Sequence, residues 1–329
     1  TRADYGHLFW VIKALQENKD INLKLYVGGM HLKSRFGNTY QQIINDGFKI
    51  SEKMDYLNDS DEPDGISNSM ANVIKVASKI FKKNKPDILV LLGDRYEALA
   101  MAQTAMIFCI PIAHIHGGER TEGLIDEAIR HSITKMSHLH FTATEIYKHR
   151  VIQLGENSSN VFNFGAPGID NINRLRLLTY KELDKELNFK LGHKYLLVTY
   201  HPVTLDPKES IIAIEKVLNA LDEFKDYKVV ITYPNADTYG NKIIKSIMRY
   251  QSLNIERVLV VSSLGQLKYL SLMKSSSVVI GNSSSGIIEA PTFQIPTVNI
   301  GKRQMGRVQG DTILNANENS DLVSKYRQE

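Results

Sequence analysis

A single cysteine, Cys109, in a chain of 329 residues rules out a disulfide framework and fits a reducing compartment. It lies in the apolar stretch MIFCIPIA and reads as a buried filler rather than a nucleophile. Long hydrophobic runs are missing too: the longest, such as ILVLL at 88–92, have strand length and fall far short of a membrane span. No excess of one charge is present, with 40 basic against 36 acidic residues for a net charge of +4. The lysines of KIFKKNKP (79–86) read as the solvated end of a helix, so no nucleic-acid surface is expected. A mildly basic cleft for a small anion is compatible with this balance. No His/Cys spacing of the zinc type occurs, and no metal is expected. With 43% hydrophobic and 23% charged residues, the composition excludes the membrane and disordered classes. No signal peptide is visible, and a cytoplasmic location is expected.

What is present is an alternation. Strand-like segments at 23–27, 87–92, 110–115, 139–143 and 159–165 are separated by helical patterns at 68–84, 95–108, 124–137 and 145–154. After GAPGIDNI, with Pro167 and two glycines, and a charged helical stretch at 180–189, the pattern restarts. Strands at 194–202, 228–234, 257–263, 278–280 and 297–301 now alternate with helices at 208–223, 240–251 and 265–274. This rhythm specifies α/β architecture with parallel sheets covered on both faces. It divides the chain into two doubly wound domains, 1–167 and 168–329, hinged near 166–170. Thr1–Gly6 reads as a turn before a helix at 7–17, with no strand ahead of it. A first strand is normally central in such a sheet, so residues before Thr1 are expected.

Ligands of open α/β sheets bind beyond the C-terminal ends of the strands. Polar residues cluster there at Asp94–Arg95, His114–Glu119, His201, 235–237 and the turn 281–286. The last is the most informative: SSSVVIGNSSSGIIEA (275–290) is a β-branched run ending at Gly281, a Gly/Ser turn and a helical stretch carrying Glu289 about two turns in. Such a turn offers backbone N–H groups and a helix dipole to a phosphate, and the glutamate could accept ribose hydroxyls. By itself it is equally a serine N-cap on an ordinary helix.

Seven motifs in order carry a resemblance: TRADYG (1–6), GDRYEALA (93–100), HIHGGERTEGLIDEAIRHSITKMSHLHF (114–141), YHPVT (200–204), YPNAD (233–237), GNSSSGIIEAP (281–291) and GKRQMGR (301–307). Together they closely resemble the hydrolysing UDP-N-acetylglucosamine 2-epimerases of bacterial sialic-acid synthesis. The resemblance implies the GT-B fold, two Rossmann-like domains with the active site in the interdomain cleft and UDP held mainly by the second. It implies conversion of UDP-GlcNAc and water to N-acetylmannosamine and UDP through a 2-acetamidoglucal. It implies no metal or organic cofactor, and a homodimer. Neither a nucleic-acid nor a membrane partner is expected.

Inverting C2 requires a general base, a general acid, and positive charge at the departing diphosphate. The resemblance implies Asp94 and Asp126 as acid/base groups, with a third position in HIHGGE. Many members carry glutamate where His116 stands, and some bacterial sialic-acid enzymes carry HIHGGE, so His116 and Glu119 both stand as candidates. It further implies His201 as a catalytic and phosphate-contacting group, Arg95 and Arg2 near the diphosphate, and Gly6 and Arg130 as further UDP-sugar-binding residues. Asn235 would contact the nucleotide, and Ser283, Ser284 and Ser285 the phosphates. Glu289 would accept the ribose. Of Arg303 and Arg307, Arg303 is favoured for UDP; Tyr269 either flanks the uracil or packs in the core. The plain alternatives are an N-cap for Asp94, an i,i+4 salt bridge for Asp126 and Arg130, and turn chemistry for Asn235. His131 and His138 read as structural or surface groups.

Alternative functions are the same reaction on a 2,4-diacetamido UDP-sugar of the legionaminic-acid route, a non-hydrolysing epimerase, a GT-B glycosyltransferase, and a non-catalytic UDP-sugar-binding module.

Overall fold

The computed structural model describes residues 2–121, 124–203, 207–234 and 239–317, with the backbone alone for residues 2, 3, 207 and 208. Among these residues the strands are β1 (Leu25–Gly28), β2 (Ile50–Met54), β3 (Leu89–Leu92), β4 (Ile112–Ile115), β5 (Leu139–Thr142), β6 (Val161–Asn163), β7 (Tyr195–Thr199), β8 (Lys228–Thr232), β9 (Val258–Val261), β10 (Val278–Gly281), β11 (Thr297–Ile300) and β12 (Ile313–Ala316). Every ladder between them is parallel. The chain divides into two units, Thr1–Arg120 with Ile125–Asn171, and Ile172–Glu329 with Thr121–Leu124.

The second unit holds one sheet in the order β12-β11-β10-β7-β8-β9. Central parallel strands are covered on both faces and so are apolar at nearly every position. YLLVT of β7 is buried throughout, and its residues alternate between two cores. Leu196 and Val198 join Ile214, Val217, Ile243 and Ile247 on one face. Tyr195 and Leu197 join Leu183, Leu191, Leu272 and Met273 on the other.

The first unit holds two ladders, β3-β4-β5-β6 and β1-β2. The helix Pro63–Lys83 begins with proline, which lacks only an N–H that would have no helical partner there. Its Ser69, Val73, Ala77, Ile80 and Phe81 recur at helical spacing and are buried. A further core of Ile12, Val27, Ile43 and Phe48 packs with Leu8 and Phe9 of the first helix.

Several local expectations change. The first helix runs Arg2–Glu17, so residues 2–6 are helical rather than a turn. The segment of the expected hinge is the helix Pro167–Arg174, again with proline at its first position, and the division between the two units falls within it, after Asn171. Asn171 ties that helix back by donating to the Gly6 carbonyl at 3.0 Å. Glu289 does not lie two turns into a helix: the helix is only Ser284–Ile288, and Glu289 follows as its C-cap. Pro291 has no N–H to continue the α-helical ladder, and a 3₁₀ turn takes over at Ala290–Phe293.

Cys109 is exposed, not buried. It occupies a left-handed position (φ 51°) just past the helix Tyr96–Ile107. There Ile110 N–H donates to the Ala105 carbonyl and Cys109 N–H to that of Met106, a Schellman end in which Ile110, not Cys109, is the buried residue.

Candidate active site

In the first unit, a tight loop follows β3. Gly93 adopts φ 77° and its N–H donates to the Ile115 carbonyl at 2.9 Å, which turns the chain so that Asp94 leaves the end of the sheet. Asp94 does not cap the next helix; Arg95 is at the N-cap, and no side chain caps it. The Asp94 carboxylate instead accepts from Nη2 of Arg130.

Arg130 lies in the second turn of Asp126–Met136 and is fully buried. Its Nη1 donates to the Glu119 carbonyl at 2.8 Å and to Glu127 Oε2 at 3.4 Å. Burial disfavours its charge, but Asp94, Glu119 and Asp126 outweigh that and raise its pKa above the ordinary arginine value. Asp126, half-buried at the first helical position, thus contributes to the field around Arg130.

The β4 end supplies the other pair. His116 adopts φ 67°, a left-handed conformation uncommon for a residue with a Cβ. Its Nδ1 lies 2.5 Å from Glu119 Oε1, and both residues are buried. Gly118 makes this turn possible: a Cβ there would stand 2.2 Å from the Tyr147 carbonyl oxygen. Arg150 Nη1 donates to the Gly118 carbonyl at 2.5 Å. When Nδ1 of His116 donates to the carboxylate, Nε2 is the nitrogen with a lone pair for a proton. Asp94 with Arg130, and His116 with Glu119, therefore meet through Arg130, which touches both segments.

Arg95 is mostly buried, and its Nε donates to Glu97 Oε1 at 3.1 Å. His131 pairs with Glu127 at 3.3 Å and Nδ1 of His138 accepts from Ile112 N–H at 3.3 Å, both structural roles. Gly6 lies in the first helix. The Arg2 side chain and Asn235 lie outside the described residues.

In the second unit, β7 and β10 run side by side and end at Thr199 and Gly281. A Cβ on Gly281 would stand 2.0 Å from the Thr199 carbonyl oxygen, so only glycine allows the close approach. The next residue, Asn282, within the 281–286 turn, is the organiser of this strand end. Its Oδ1 accepts from His201 N–H at 2.7 Å and its Nδ2 donates to the His201 carbonyl at 2.8 Å. Its own carbonyl accepts from Arg303 Nη1 at 3.0 Å and from Gln304 Nε2 at 2.8 Å. One asparagine thus fixes the backbone of His201 and the guanidinium of Arg303.

Ser283 caps the short helix, and its hydroxyl also accepts from Ser285 Oγ at 2.9 Å. Tyr269 OH lies 2.5 Å from Ser285 Oγ and 3.5 Å from Thr199 Oγ1. Burial raises the Tyr269 pKa, Glu289 adds to the rise, and the phenol stays protonated. Ser284 is half-buried at the first helical position and Glu289 is buried. Arg307 is half-buried four residues after Arg303. Among the described residues no group of three or more His, Cys, Asp or Glu side chains could hold a metal ion, and no helix is long and apolar enough to cross a membrane.

A family model described as UDP-N-acetylglucosamine 2-epimerase matches residues 13–328. A Campylobacter jejuni protein named GDP/UDP-N,N'-diacetylbacillosamine 2-epimerase (hydrolyzing) is 41% identical over 99% of this chain and 84% of its own length. An Escherichia coli protein named polysialic acid biosynthesis protein P7 is 39% identical over 95% of this chain and 80% of its own. The crystal structure of the UDP-GlcNAc 2-epimerase of Neisseria meningitidis bound to UDP-GlcNAc superposes with a TM-score of 0.82 at 19% identity, covering 100% of this chain and 89% of that one. The chain belongs to the UDP-N-acetylglucosamine 2-epimerase family. It is an enzyme of that family, with an α/β fold of the GT-B type.

Proposed function

We propose that the protein hydrolyses UDP-GlcNAc with inversion at C2, giving N-acetylmannosamine and UDP for sialic-acid synthesis in the cytoplasm. The observation that carries this reading is the joining of two proton-transfer pairs, Asp94–Arg130 and His116–Glu119, through one buried guanidinium.

A base removes the C2 proton while the C1–O bond to UDP breaks, and the electron pair of the C2–H bond becomes the C1=C2 bond of a 2-acetamidoglucal. Water then adds its oxygen to C1, giving up a proton to a base, and an acid delivers a proton to C2 on the opposite face. Two groups on different faces, with different proton affinities, suit this sequence. The His116–Glu119 pair supplies an imidazole oriented by a carboxylate at Nδ1, with Nε2 left to carry or take a proton. Asp94 is oriented by its ion pair with Arg130, and Asp126 borders the same guanidinium. UDP is held by the second unit: the phosphates by Ser283, Ser284, Ser285, His201 and Arg303, the ribose by Glu289.

A second reading keeps this chemistry but takes a 2,4-diacetamido UDP-sugar, and the 41% identical Campylobacter protein named for such a substrate favours it. UDP-release and NMR assays of the two sugar nucleotides side by side test the choice. N-acetylmannosamine and UDP in equal amounts from UDP-GlcNAc are expected. Turnover of the diacetamido sugar alone would replace the substrate, and UDP-ManNAc as product would replace hydrolysis.

A further inference from the structure

His114 is the fully buried histidine of β4, and none of the proton-transfer steps above uses it. Its Nε2 lies 2.8 Å from the Gly93 carbonyl oxygen, an atom that can only accept. Nε2 must therefore carry a proton. Its Nδ1 lies 3.3 Å from Thr134 Oγ1. Burial lowers the His114 pKa to about 4, with neighbouring His140 and Arg130 acting in the same direction against the Gly93 bond and Asp94, so the ring is neutral. A neutral ring protonated on Nε2 has a lone pair on Nδ1, and the Thr134 hydroxyl donates to it.

The placement of these partners gives the arrangement its meaning. Gly93 is the residue before Asp94, and Thr134 stands four residues after Arg130 on the same helix, hence on the same face. The Asp94–Arg130 pair joins the β3 loop to this helix directly; the path Gly93–His114–Thr134 joins them a second time, from beneath. Gly117 leaves room for the link, since a Cβ there would press to 3.2 Å from His114 Nδ1 and 3.3 Å from Thr134 Oγ1.

We propose that His114 is a positioning residue: through its Nε2–H bond to the Gly93 carbonyl and its Nδ1 contact with Thr134 it clamps the Gly93–Asp94 peptide to the helix carrying Arg130, and so fixes the direction of the Asp94 carboxylate. This rests on the reading that Asp94 and Arg130 act on the sugar. A small tilt of a reacting group is enough to lower turnover without weakening the binding of a nucleotide held elsewhere, an effect of roughly 100-fold for misplacement of about 1 Å.

Two measurements test it on the full chain. In protein with ¹⁵N-labelled histidine rings, the signals lost in His114→Gln identify His114, and an Nε2–H tautomer unchanged from pH 5 to 9 is expected. An Nδ1–H tautomer, or titration near pH 6.5, overturns the proposal whether or not turnover is found, so it can fail while the functional reading stands. In kinetics, His114→Ala is expected to lower kcat about 100-fold with KM and UDP affinity within threefold, and Thr134→Val several-fold. His114→Gln, whose amide N–H can reach the Gly93 carbonyl, is expected to recover to within about tenfold of the parent. A merely structural role would lower the thermal midpoint and leave no such rescue. Parent-like kcat in His114→Ala, or His114→Gln as impaired as His114→Ala, overturns the clamp.

Discussion

Replacing Arg130 by methionine should separate stability from activity. The guanidinium is 0% exposed, whereas the Asp94 side chain paired with it is 19% exposed. Removing one member of a buried ion pair typically costs about 3–5 kcal/mol, because the other is left charged and desolvated. Which member remains decides the outcome. Asp94→Asn leaves Arg130 charged inside the protein, with the Glu119 carbonyl at 2.8 Å and Glu127 at 3.4 Å among its remaining partners. The loss should be about 3 kcal/mol, the low end of that range. Arg130→Met removes the buried charge itself and fills the space with an apolar chain of similar length. The remaining carboxylate reaches water, and the chief loss is the bond to the Glu119 carbonyl, so the decrease should stay below about 2 kcal/mol. Both variants should lose at least about 100-fold in kcat, as expected when preorganised charge leaves a site. Urea unfolding with matched slopes and an NMR turnover assay give the two numbers. Arg130→Met less stable than Asp94→Asn, or fully active, would refute the reasoning.

Three further outcomes follow from particular contacts. Asn282→Ala should destabilise the second unit by about 2–4 kcal/mol, since it strips partners from the buried N–H and carbonyl of His201, and should weaken UDP binding in calorimetry; unchanged affinity would contradict its place in the nucleotide half-site. Gly118→Ala should be far more damaging than Gly93→Ala in thermal melts: both have positive φ, but a Cβ meets the Tyr147 carbonyl at 2.2 Å in the first and nothing within 4 Å in the second. Equal midpoints would contradict the packing around the HIHGGE turn. The third concerns pH. His114 ionises at about 4 when folded against 6.5 as the ordinary value, so between these the unfolded chain binds more protons and stability rises with pH. Its contribution is complete above about pH 6.5 and falls by about 3 kcal/mol as pH drops toward 4. Asp94, Arg130 and His140 face the ring throughout, and comparing the parent with His114→Gln isolates its share of the slope; identical slopes would contradict it.

The alternation of strands and helices was legible because both faces of β7, β8, β10 and β11 are buried, which writes continuous apolar runs into the sequence. The strands that escaped reading are peripheral. Ile50–Met54 carries Ser51, Glu52 and Lys53, and Ile313–Ala316 pairs on one side only, so neither shows a buried run. Asp94, His116, Glu119 and Arg130 were named from motifs, but not their pairing. Asp94 read equally as an N-cap, and its bond to Arg130 joins residues 36 apart in sequence. Asn282 and His114 were missed as working residues because each acts through backbone atoms of another segment, Asn282 on His201 and His114 on Gly93. No local spacing records such contacts. Cys109 misled because apolar neighbours suggest burial, whereas a helix end turns that one side chain outward.

The central claim is epimerisation through loss of the C2 proton followed by hydrolysis. Its most direct test is to incubate the full chain with UDP-GlcNAc in D₂O and follow proton NMR. N-acetylmannosamine fully deuterated at C2 is expected, with one UDP released per sugar. N-acetylmannosamine that retains its C2 proton would contradict it.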